Sequence, residues 1–140
     1  MSERLLFELA QRQLALLRQF SRVLVEERDA IVSFSLEGIT RANNTKEELL
    51  KKLESLDDEQ KRLSAENPAG DLRSEEWIAL RRDLRSSAKQ VRAGLEKNMK
   101  LLAFSMDHVK NSIERIVGFI NKASYGRRRD TISVMVSRRV

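Results

Sequence analysis

The sequence predicts an all-α protein: an antiparallel three-helix, coiled-coil-like bundle with an elongated third helix and a flexible C-terminal tail. Three observations carry this. Apolar residues recur at helical spacing over three long stretches. One Pro and five Gly in 140 residues leave few places where a helix must break. Five Phe, one Trp and one Tyr offer little aromatic material for a β-sheet core.

The first helix is expected over about residues 2–32. Leu9, Leu16, Val23 and Ala30 form one apolar column and Ala10, Leu17, Leu24 and Ile31 the next, with Leu6, Phe20 and Phe34 beside them. Gln13 and Glu27 interrupt that third column, so the seam should be partly wet there.

The second helix is expected over about 36–66. Ser35 can cap its start, and Leu36, Ile39 and Ala42 continue in phase with Leu49, Leu53, Leu56 and Leu63. Thr45 followed by Glu48 matches a capping box, which offers a competing start with the hairpin at 37–44. "AENPAGDLRS" closes this helix: Pro68 removes a donor and Gly70 supplies conformational freedom, after which Asp71 or Ser74 can cap the next.

The third helix is expected over about 75–123, and its repeat is eleven residues. Leu80, Val91, Leu102 and Ile113 form one column, Leu84, Leu95, Met106 and Val117 another, and Trp77, Ala88 and Met99 a third. Such a repeat averages ~3.67 residues per turn and keeps the stripe nearly straight along the axis. Ser86, Ser87 and Gly94 are weak points within it.

The lengths do not match. The first two helices would each span roughly 45 Å and the third roughly 70 Å, so in an up-down-up bundle its last part, beyond about Met106, lacks a partner. That part still carries apolar side chains, from Val109 to Ile120, whose burial would contribute on the order of 10 kcal/mol. Three occupants would cover them: a second copy of the chain, a partner protein, or the helix itself folding back at Phe104–Ser105. Gly126 can end the helix, and "TISVMVS" then has a strand period with no second strand to pair with. Residues 1–126 thus read as the helical domain and 127–140 as a basic, disordered tail.

Charge points the same way. The net charge is +6; five arginines after Gly126 (Arg127, Arg128, Arg129, Arg138, Arg139) against Asp130 supply +4 of it, which leaves +2 for the rest of the chain. On this reading no basic stripe runs along the helices, and nucleic-acid binding would rest on the arginine tail. With no cysteine, a single histidine (His108) and no glycine-rich phosphate loop, no catalytic residue, metal site or cofactor is expected. No apolar run approaches the ~20 residues that cross a membrane, and the chain reads as cytoplasmic.

The order of elements, with "EERDAIVSFSLEGITRANNTKEELLKKL" after an apolar first helix and an ending built on Asn98, Leu101, Leu102, Ile116, Ile120, Asn121, Tyr125 and Gly126, resembles the FlgN family of flagellar export chaperones. The resemblance covers about residues 5–126. It implies a cytoplasmic, non-enzymatic chaperone that binds the hook-filament junction proteins (hook-associated proteins one and three), prevents their premature assembly and delivers them to the flagellar type III export apparatus. By position it puts client binding on Met106, Val109, Ile113, Ile116, Val117, Phe119 and Ile120, with Tyr125 as a contact for the export gate. The competing readings are a helical nucleic-acid-binding protein using the arginine tail, and a structural coiled-coil homodimer.

Overall fold

The computed structural model describes residues 2–66 and 74–123, and it is all-α, as the apolar spacing predicts: α1 (Ser2–Val32), α2 (Leu36–Glu66) and α3 (Glu75–Ala123). The chain divides into two compact units, Met1–Leu101 and Leu102–Val140.

The first unit is a three-helix bundle. α2 returns antiparallel to α1, because Leu63 packs on Leu6 and Leu9 at one end while Leu49 packs on Phe20 and Val23 further along. α3 then runs beside α1 in the same direction: Leu80 meets Ala10 and Leu14, and Val91 joins the cluster of Phe20 and Leu24. The Trp77 ring meets Phe7 edge to face at 5.3 Å, an arrangement that aromatic quadrupoles favour. Leu9 and Leu49 are the most completely buried large side chains, so the α1–α2 seam is the centre of the core.

The hairpin falls at residues 33–35, the earlier of the two candidate turns, and its hydrogen bonds show why. Ser35 N–H donates to Ala30 O at 2.8 Å and Phe34 N–H to Ile31 O at 3.1 Å, the paired bonds that close a helix through a left-handed residue. That residue is Phe34, at φ 56°. Ser35 then caps α2, its Oγ accepting from Gly38 N–H at 3.1 Å. Gly38 has no room for a side chain: a Cβ there would lie 2.8 Å from the Ala30 Cβ. At the start of α3 it is Ser74 whose Oγ accepts, from Trp77 N–H at 3.3 Å; Asp71 and the Pro68 turn lie outside the described residues.

Several expectations need correction. Phe34 is not part of the α1 stripe; its left-handed backbone ends the helix and leaves the side chain 61% exposed. Leu36, read in phase with the α2 core, is exposed as well. In α3 the third column fails after Trp77, since Ala88 and Met99 are exposed. Eleven residues turn about 20° more than three full turns, so each repeat rotates that column further outward. By the same drift Ser87 and Asn98 rotate inward and are buried.

The interruptions at Gln13 and Glu27 are answered by side chains of neighbouring helices. Gln60 Nε2 donates to Gln13 Oε1 at 3.1 Å. Glu27, 5% exposed, is ion-paired with Lys46 of α2 and accepts from Asn98 Nδ2 of α3 at 2.9 Å. Asn98 Nδ2 also donates to Leu24 O at 2.8 Å. One carboxylate therefore ties all three helices at one level. Gly94, one turn before Asn98, permits the approach: a Cβ there would lie 3.0 Å from Leu24 Cδ1.

Candidate functional site

Among the described residues, the buried side chains of α3 are Leu80, Ser87, Val91 and Asn98, and none follows Asn98. Through Phe104 and Ser105 the backbone stays helical to Ala123. The second unit, from Leu102, is described as the remainder of this helix.

Its apolar residues keep helical spacing. Met106, Val109, Ile113 and Ile116 are exposed, and Val117 and Ile120 are partly buried. At about 100° per residue these six fall within an arc of about 100°, one continuous face. Phe119 is different: it is 72% exposed and lies about 60° outside that arc. Phe104 is 70% exposed and points away from the same face. The structure thus brings six of the seven sequence-derived client positions onto one face and sets Phe119 at its flank. Tyr125 and the arginine tail lie outside the described residues.

Fully burying such a side chain contributes ~1.5–3 kcal/mol, so the four exposed aliphatic residues, each about half covered, still hold on the order of 5 kcal/mol of apolar burial. Gly118 interrupts nothing, since no atom beyond its own helix lies within 4 Å of a Cβ there. The polar positions on this part of α3 do not form a reactive set. His108 is exposed beside Val109, and no group of three or more His, Cys, Asp or Glu among the described residues could hold a metal ion. The arrangement supports association with an apolar surface.

Charge on the first unit departs from the reading made from the totals. Between Arg81 and Lys100 there are seven cations (Arg81, Arg82, Arg85, Lys89, Arg92, Lys97, Lys100) against Asp83 and Glu96, a net charge of +5. Elsewhere the helices are balanced or acidic: α1 carries five acids and five arginines, and α2 eight acids and six cations. A basic stripe therefore does run along α3. The totals hid it, because the acidic excess of α2 offsets it in the sum. Within α2, Lys61 stands above its ordinary pKa of 10.5 because it donates to Asp57 and sits beside that carboxylate's charge.

No described helix is long and apolar enough to cross a membrane. No curated protein and no solved structure matches this chain. The FlgN protein family does match, over residues 1–131, and the chain belongs to that family of flagellar export chaperones.

Proposed function

We propose that this FlgN-family chain chaperones the hook-filament junction proteins, hook-associated proteins one and three, in the cytoplasm. It holds them unassembled and hands them to the flagellar type III export apparatus. FlgN proteins are chaperones, a family not known for catalysis, so affinity and release are the properties to explain.

The observation that carries the reading is the run of exposed aliphatic side chains that begins after the last buried residue of α3. Met106, Val109, Ile113 and Ile116, spaced by three and four residues, are the anchors for an amphipathic client helix laid along α3, with Val117 and Ile120 completing the face and Phe119 at its edge. Apolar contact supplies affinity, while lost translational freedom and side-chain ordering offset much of it. The result is moderate affinity, which allows release at an export gate. Residues 1–126 form the chaperone unit, Tyr125 contacts the gate, and 127–140 is an appendage to it.

The test is a pair of single substitutions, Ile113→Asp and Ile116→Asp. Each puts a charge where the client's apolar surface must be desolvated. Both side chains are exposed, so helicity and stability should stay at the parent level. Binding of the junction protein should fall at least tenfold in each variant. Parent-like binding in both would remove this face from the client site.

A further inference from the structure

We infer that the outward face of α3 between Arg82 and Lys100 is a docking strip for an acidic polypeptide segment. This does not rest on the client reading, and the strip contains none of the residues assigned to the client.

Arg82, Arg85, Lys89, Arg92 and Lys100 are all exposed. At about 100° per residue they fall within an arc of about 80°, roughly opposite the buried Leu80, Ser87, Val91 and Asn98, and along the axis they extend about 27 Å. Their charge is largely uncompensated. Glu96 pairs with Arg92 at 3.3 Å, whereas Arg82, Arg85, Lys89 and Lys100 make no ion pair with a described residue. A helix face that is merely solvated gains from interleaved acids, as α2 shows with Asp57 and Lys61 at 2.9 Å. Like charges at three- and four-residue spacing repel, so this face carries a cost that a partner of opposite charge relieves.

The chemistry of the strip selects among anionic partners. No aromatic residue occurs between Arg81 and Lys100, so there is no platform on which bases could stack. Met99 is the one large exposed apolar side chain there, too little to anchor a lipid-inserted face, which needs apolar burial beside its cations. Ser86 and Ala93 are small and exposed along one edge of the strip, about 20–40° beyond Arg82 and Lys100. A partner backbone can therefore come close while guanidinium groups reach its carboxylates as two-pronged donors. Pairs of this exposed kind are individually weak, so the contact is a reversible, salt-sensitive one.

Fluorescence anisotropy on the full chain tests this, with a fluorescein-labelled peptide of Glu, Ala and Leu about twenty residues long as the probe. Binding is expected at low salt and should weaken about tenfold between about 50 and 300 mM salt. The triple variant Arg82→Glu, Arg85→Glu, Lys89→Glu should weaken it at least tenfold. The charge-matched variant Arg12→Glu, Arg18→Glu, Arg22→Glu on α1 should stay within about threefold of the parent, with circular dichroism confirming that both fold. Equal losses in the two variants would show that net charge alone attracts the probe, and an unchanged α3 variant would show that the strip does not hold it; either overturns the proposal. So would tighter, α3-dependent binding of a duplex DNA or of phosphatidylserine vesicles than of the peptide at the same salt.

Discussion

Lys46→Met should be among the most damaging single changes in the bundle although Lys46 is not a core residue. Its ammonium is paired with Glu27, whose side chain is 7% exposed while that of Lys46 is 21% exposed. Methionine keeps most of the stem and removes the charge, which leaves the Glu27 carboxylate with Asn98 Nδ2 at 2.9 Å as its described donor. Stranding a buried charge in this way costs ~3–5 kcal/mol. Partial access of solvent on the Lys46 side puts the expectation at the low end, about 3 kcal/mol. For a chain of this length that is a fall of about 10 °C in Tm. Removing the whole group, as Glu27→Leu, Lys46→Met, Asn98→Leu, should recover the loss or exceed the parent, since apolar replacement of a buried ionic group is neutral or stabilising by ~1–4 kcal/mol. Urea denaturation followed by far-ultraviolet circular dichroism measures both. A Lys46→Met cost below about 1 kcal/mol, the scale of an exposed pair, would show that the Glu27 carboxylate does not depend on Lys46.

Two further stability predictions concern the hairpin. Phe34→Gly should stabilise the fold by about 1 kcal/mol, because a left-handed backbone costs a non-glycine residue ~1–2 kcal/mol and the exposed ring gives up little packing; thermal melts that show destabilisation would mean that the ring is held by contacts. Gly38→Ala should destabilise by ~1–3 kcal/mol, in spite of alanine's higher helix propensity, since the new methyl would meet the Ala30 Cβ at 2.8 Å; a gain in urea midpoint would show that the α1–α2 approach relaxes freely.

The three helices were legible because each carries an apolar face long enough to be read through local noise, and Ile39 and Ala42, in phase with Leu49, pointed to the earlier turn over the competing Thr45–Glu48 signal although Leu36 of the same series is exposed. Phe34 misled because its spacing fits the α1 column while the backbone there has already left the helix. Asn98 and Ser87 were missed for a different reason. A polar residue gives no apolar signal, and only the rotation of an eleven-residue column brings these two inward, Asn98 against Leu24 and Glu27. The basic strip was missed because charge outside the tail was summed as one body, where the acids of α2 mask the cations of α3. Of the proposed client face, the aliphatic spacing was legible and the position of Phe119 was not, since contiguity in sequence does not imply a shared helical face.

Client binding by the exposed face of α3 is tested by a calorimetric titration of this protein with the purified hook-filament junction protein of the same organism, run in parallel on Ile113→Asp. The parent should give a saturable one-to-one isotherm of moderate affinity, and the variant a loss of at least tenfold. No heat with the parent at tens of micromolar protein, or identical isotherms for the two, would contradict binding by this face.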